Sequence, residues 1–186
     1  ITTCNSDSYQ CAVPVFCELD DSHTMDAADV ATKITSKTVA NIPVHLENVA
    51  ADMDALLAVT NKAGVPVIED SAQAFGVTYN GKSVGTLGAM GCFSLQAAKN
   101  ITSGEGGAVI TNDEDLGLRA ARYQDQGGQF ITQHGRSRGA ELGVPFVGEN
   151  LRMTEIAGAI AGVQLTRLDD LAASFRANAN SLLKAA

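Results

Sequence analysis

Two short segments of this 186-residue chain carry polar groups in an order that could do chemistry. One is Pro66-Val-Ile-Glu-Asp-Ser-Ala-Gln-Ala-Phe-Gly76. The other is Gly91-Cys-Phe-Ser-Leu-Gln-Ala-Ala-Lys-Asn-Ile-Thr-Ser-Gly-Glu-Gly-Gly107. In each, an apolar run suited to a buried strand is followed at once by polar residues. Ligands of open α/β sheets bind at the carboxyl ends of the strands, so Asp70 and Lys99 would converge at one edge if both runs join the sheet. A carboxylate and an amine there can form a plain salt bridge. They can also be the two ends of a cofactor grip, since pyridoxal phosphate needs a lysine for its aldehyde and an acid for its pyridinium nitrogen. Lys99 follows the small residues Ala97 and Ala98, and desolvation among such neighbours favours the neutral amine.

The elements that would position these groups alternate between β-like runs and helical patterns, which predicts βαβ units and a mostly parallel sheet in an α/β fold. Val13–Phe16, Val39–Val44, Val65–Ile68, Gly91–Ser94 and Ala108–Thr111 read as strands. Met25 to Lys33 reads as a short helix. Met53, Leu56, Leu57 and Thr60 recur at helical spacing, with Gly64 as the stop. Asn112 or Asp113 is a cap for a helix through Leu118 and Arg122. Thr154 and Glu155 open a helix with Ile156, Ala159, Ile160 and Val163 on one face, and Leu171–Ala186 is helical in composition. Gln124–Pro145 is glycine-rich and aperiodic, a long loop of the kind that usually serves a function.

Thirteen basic against twenty-one acidic residues give a net charge of −8, which argues against broad nucleic-acid or anionic-membrane binding. No run is apolar and long enough to span a bilayer, and no signal peptide is visible. Cys4, Cys11, Cys17 and Cys92 form no C-x-x-C pair, and three scattered histidines complete no zinc pattern. Free thiols in a reducing cytoplasm are the expectation. His45 reads as a strand-end histidine bonded to backbone, while His23 and His134 fall in polar loops. Arg136, Arg138 and Arg152 could meet an acidic group, but loop arginines usually face water. Gly104, Gly106 and Gly107 permit a tight backbone near Lys99; no G-x-x-x-x-G-K-[ST] phosphate loop is present.

The motifs together resemble those of the DegT/DnrJ/EryC1/StrS sugar aminotransferases, within the fold-type-I pyridoxal phosphate enzymes. Pro66–Gly76 is similar to that family's P-V-I-E-D-x-A-Q-A-x-G segment. Val84–Gly88 leading to Cys92–Ser94 is similar to V-G-[ST]-x-G-x-x-G-C-F-S, and Lys99–Gly107 to K-N-x-[ST]-x-G-E-G-G. Ile42-Pro-Val-His45 resembles its P-V-H segment. Gly148-Glu-Asn-Leu-Arg-Met-Thr-Glu155 resembles G-x-N-x-R-[ML]-[TS]-[DE]. One departure is Leu95-Gln-Ala-Ala98, where members often carry an aromatic and a proline.

The resemblance implies a three-layer sandwich, with residues 1–186 as part of the large cofactor domain, truncated at both ends and without the family's small domain. It implies that Lys99 holds pyridoxal 5'-phosphate as a Schiff base and shuttles a proton, and that Asp70 pairs with the pyridine nitrogen. Gln73 would lie against the ring, Ser94 would donate to the phosphate, and Asn150 would reach the site of a neighbouring subunit in a homodimer. A lysine rather than histidine at position 99 favours transamination over dehydration. The implied reaction moves an amino group from glutamate or glutamine to a keto-sugar, free or nucleotide-linked, or to a similar cyclic ketone. The alternative is a truncated non-catalytic module for cofactor binding or dimerisation.

Overall fold

The computed structural model describes residues 2–127, 132–133, 136–137 and 144–185. Its centre is a three-stranded mixed sheet. β1 (Ile68–Asp70) pairs parallel with β4 (Met90–Ser94), and β4 pairs antiparallel with β5 (Gly107–Ile110). Residues 41–44 run parallel along the free side of β1 through bridges at Asn41–Val67 and Val44–Asp70. The sheet is therefore mixed: parallel through residues 41–44, β1 and β4, with β5 the antiparallel strand beside them. Antiparallel neighbours need no helical crossover, so the chain returns from β4 to β5 through a loop, and Lys99 lies in that loop.

Helices begin and end where the caps demand. α1 (Thr2–Tyr9) precedes α2 (Ala27–Lys33), whose N-cap Asp26 accepts from Ala28 N–H. α3 (Met53–Ala63) is capped by Asp52 and stopped at Gly64, which takes φ +69°, the left-handed conformation a helix-ending glycine supplies at no steric cost. α4 (Glu114–Tyr123) begins at Asp113, α5 (Glu155–Leu165) at Thr154, and α6 is Leu168–Ala185. Two small antiparallel pairs complete the elements: β2 (Thr78–Tyr79) with β3 (Lys82–Ser83), and β6 (Thr132–Gln133) with β7 (Arg136–Ser137). The last pair falls within the stretch expected to be loop; most of that stretch, with Phe130, His134 and Arg138, lies outside the described residues. Among the described residues no helix is long and apolar enough to cross a membrane.

The core has two centres. Val30, Ala51, Met53, Leu56 and Val67 pack α2 and α3 against the residue that precedes β1, and Leu95, Ile101 and Ala161 join the lysine loop to α5, with Phe75, Leu168 and Leu171 against them. Ile101 is fully buried, so the end of the lysine loop is nailed down by apolar burial. Val13–Phe16 forms no strand. Val13, Val15 and Phe16 are 85%, 67% and 70% exposed, and a β-prone run without a described strand to pair with has nothing to hold it as one.

Candidate active site

Alternation along β1 sends successive side chains to opposite faces. Val67 and Glu69 are buried, while Ile68 and Asp70 are half-buried. A fully buried carboxylate is costly unless its oxygens are satisfied, and those of Glu69 are. Oε2 accepts from His45 Nε2 at 2.9 Å and Gly85 N–H at 2.6 Å; Oε1 accepts from Leu87 N–H at 2.7 Å and Gly88 N–H at 2.6 Å. Burial pushes the carboxyl up, but the bonds from His45, Gly88, Gly85 and Leu87 together outweigh it and hold Glu69 below its ordinary value. His45 Nδ1 accepts from Ala51 N–H at 3.1 Å, so Nε2 is the nitrogen that carries hydrogen toward Glu69.

The glycine-rich stretch after β3 exists to reach this carboxylate. A Cβ on Gly88 would lie 2.6 Å from Val67 carbonyl oxygen. One on Gly91 would collide with the backbone of Gly85, which itself takes φ +84°. Only hydrogen at these positions lets the loop lie flat on β4 with its N–H groups aimed at Glu69.

Asp70 ends β1 with its backbone held on both sides. Its N–H donates to Pro43 carbonyl at 2.9 Å, and its carbonyl accepts from His45 N–H at 3.0 Å. Its carboxylate accepts from Thr3 hydroxyl at 2.7 Å and Ala72 N–H at 3.1 Å. Among the described residues no cation pairs with it, so the plain Asp70–Lys99 salt bridge is not formed. Cys92, opposite Asp70 in the ladder, has its thiol pushed up by burial and then by the Asp70 charge. It stays a thiol and is no rival nucleophile. All four cysteines are free, as the spacing predicted.

Ser94 and Lys99 belong to the neighbouring strand and its loop. Ser94 is half-buried at the end of β4 and its Oγ accepts from Gln96 N–H at 3.3 Å, leaving the hydroxyl hydrogen available. Lys99 is half-buried in a turn closed by its own N–H to Gln96 carbonyl at 3.0 Å. Its amine makes no hydrogen bond or ion pair among the described residues. Gln73 braces a neighbouring segment: Oε1 accepts from Glu47 N–H at 3.0 Å and the carbonyl from Asn48 N–H at 3.2 Å. Its Nε2 keeps both hydrogens free among the described residues. Asn48 in turn accepts from Asn100 Nδ2 at 2.8 Å.

Asp70, Gln73, Ser94 and Lys99 thus come from the carboxyl ends of two parallel neighbours, as expected. Asn150 stands apart. It is exposed and bridges Asp125 beside the end of α4, next to a groove of about 420 Å³ between Ser103–Gly107 and Leu151–Ile160. Arg152 is paired with Asp125. His45 does bond backbone, but its partner Glu69 went unread. The signal was present, since Glu69 shares the face of Val67. Thr3, distant in sequence from Asp70, gave no signal.

Among the described residues, an amine without a partner, a carboxylate without a cation, and a hydroxyl and an amide with hydrogens left over thus follow the carboxyl ends of two neighbouring strands. The fold around them is that of the fold-type-I aminotransferases: the structure superimposes on the aminotransferase from Psychrobacter cryohalolentis with a TM-score of 0.87 and 34% identity, over 100% of this chain and 48% of that one. The chain belongs to the DegT/DnrJ/EryC1/StrS aminotransferase family, whose model matches residues 1–185. It is 42% identical over 176 residues to the L-glutamine:2-deoxy-scyllo-inosose aminotransferase of Streptomyces fradiae, covering 92% of this chain and 41% of that protein. It is also 42% identical over 171 residues to the GDP-perosamine synthase of Caulobacter vibrioides, covering 91% and 44%. The chain therefore spans less than half the length of these relatives.

Proposed function

We propose that residues 1–186 are part of the large cofactor domain of a pyridoxal-phosphate-dependent aminotransferase. Its reaction would move an amino group from glutamate or glutamine to a keto-sugar or similar cyclic ketone. The observation that carries the reading is the free amine of Lys99 on the same sheet edge as the carboxylate of Asp70, with neither engaged by the other. The names of the relatives, one a glutamine-dependent inosose aminotransferase and one a perosamine synthase, support the substrate class.

The residues present fit the cofactor by the chemistry of the donor set. Lys99 Nζ would hold it covalently at the aldehyde carbon, Asp70 would hold a proton on the ring nitrogen, and Gln73 Nε2 and Ser94 Oγ have hydrogens left to donate to its oxygens. When bound, pyridoxal phosphate supplies an electron-withdrawing ring that stabilises negative charge at a substrate carbon. Lys99 Nζ would then take a proton from that carbon and return one. Asp70, whose carboxylate accepts from the Thr3 hydroxyl and Ala72 N–H, would pair with the ring nitrogen. Asn150 is proposed to act on the partner's site in a homodimer.

Borohydride reduction of the chain incubated with pyridoxal phosphate, followed by peptide mapping, tests the assignment. The adduct is expected on Lys99, and Lys99→Ala should be colourless. A reduced adduct on Lys62 or Lys82 instead overturns it, and a colourless wild type favours a non-catalytic module.

A further inference from the structure

Glu47 and Asn48, beside the site, are two consecutive non-glycine residues with positive φ. Both lie in the left-handed region, at φ 49° and 65°, where a non-glycine residue is uncommon and a glutamate more so than an asparagine. Strain of this kind persists only where surrounding contacts over-determine it, and the contacts here are specific. The stretch from His45 to Asn48 touches both halves of the site. His45 N–H donates to Asp70 carbonyl at 3.0 Å, Glu47 N–H to Gln73 Oε1 at 3.0 Å, and Asn48 N–H to Gln73 carbonyl at 3.2 Å. At its far end, Asn48 Oδ1 accepts from Asn100 Nδ2 at 2.8 Å.

The lysine loop needs such a tie. Leu95 and the fully buried Ile101 fix its ends. Between them the bonds are local, from Lys99 N–H to Gln96 carbonyl and from Ala98 N–H to Gln96 Oε1, and Ala97 and Ala98 are exposed. Apart from Gln96 N–H to Ser94 Oγ at the adjoining end of β4, the Asn100–Asn48 bond is, among the described residues, the one hydrogen bond that joins residues 96–100 to a part of the molecule outside their own loop.

We propose that Asn48 is a positioning residue: its side-chain amide clasps Asn100 and sets where Lys99 stands relative to Asp70 and Gln73. The left-handed backbone at Glu47 and Asn48 aims that amide across the gap between the two loops. The inference rests on Lys99 being the cofactor lysine. It adds a residue outside the acid, the lysine and the phosphate donors, acting through Asn100 and touching no reacting atom.

Asn48→Gly isolates the amide, because glycine adopts the same backbone without strain and the variant should unfold no more readily than wild type in urea. In the full chain, hydrogen exchange over residues 96–101 should quicken about fivefold, and pyridoxal phosphate should bind about fivefold more weakly by its visible absorbance, the size expected for one hydrogen bond. Asn48→Asp, whose carboxylate still accepts from Asn100, should restore both. Asn100→Ala should match Asn48→Gly, and the double variant should be no worse than either. Unchanged exchange in Asn48→Gly overturns the clasp, and quickened exchange with unchanged cofactor affinity overturns its positioning role. A wild type that captures the cofactor on another lysine removes the functional reading instead, which the exchange measurement, made without cofactor, separates from failure of the clasp.

Discussion

Glu69 and Asp70 follow one another on β1, yet the strand's alternation turns one carboxylate into the core and leaves the other at the carboxyl edge of the sheet. Glu69 is fully buried and each oxygen accepts two hydrogen bonds. Asp70 is half-buried and accepts from a hydroxyl and one N–H, with no cation paired to it among the described residues. Saturated polar groups hold structure, and groups with capacity to spare are those that can meet a ligand. The saturated node and the proposed site are thus separated by a single residue step, and substitutions on the two sides should fail in different ways.

The largest stability effect belongs to the buried side. Glu69→Ala strands His45 and the donors of the Gly85–Gly88 loop in the core, and should cost about 4 kcal/mol in urea unfolding. A loss under 1 kcal/mol would mean the loop is held by packing alone. Next is Gly91→Ala, whose methyl would meet the Gly85 backbone; overpacking against main chain should cost about 3 kcal/mol.

The same node gives a pH dependence. Glu69 is held below its ordinary value in the folded chain, so the unfolded chain binds the extra proton first as pH falls. Its contribution is whole above the carboxyl's unfolded pKa and is lost as pH drops through the lower folded one. Stability curves of wild type and Glu69→Gln should therefore converge on acidification below the ordinary glutamate range. Parallel curves would place the acid-labile group elsewhere. Smaller again is Gly64→Ala, which has open space but φ +69°, and should cost about 1 kcal/mol from backbone strain alone. At the end of the series stands Lys99→Ala. Its stability should change by about 0.5 kcal/mol or less while cofactor capture disappears entirely. A large destabilisation there would break the division between the two sides.

How much of this was legible in the sequence follows the same division. The caps at Asp113 and Thr154 and the stop at Gly64 were readable because each is a local chemical signal for a backbone state. The edge that gathers Asp70, Gln73, Ser94 and Lys99 was readable because polar residues followed apolar strands directly. β1 itself was expected at Val65–Ile68 and lies at Ile68–Asp70. The polarity of Glu69 and Asp70 hides their place in the strand, and nothing local says that a loop sixteen residues on will supply the hydrogen bonds that let Glu69 enter the core. The direction of β5 was likewise hidden, since a strand's own residues do not say which way its neighbour runs. Thr3 and the Asn48–Asn100 bond depend on tertiary approach between distant segments.

The antiparallel return from β4 to β5 has a consequence for the order in which the site is assembled during folding. Ser94 meets Gly107 across one intervening loop, a closure between near neighbours in sequence, and such contacts form early because little chain entropy is lost in making them. Asp70 pairs with Cys92 across the longer stretch between β1 and β4, which also supplies the donors to Glu69. The lysine's loop can therefore close before the acid arrives, and a folding nucleus around β4 and β5 would leave the Glu69 node, and with it Asp70, for the final consolidation of the chain.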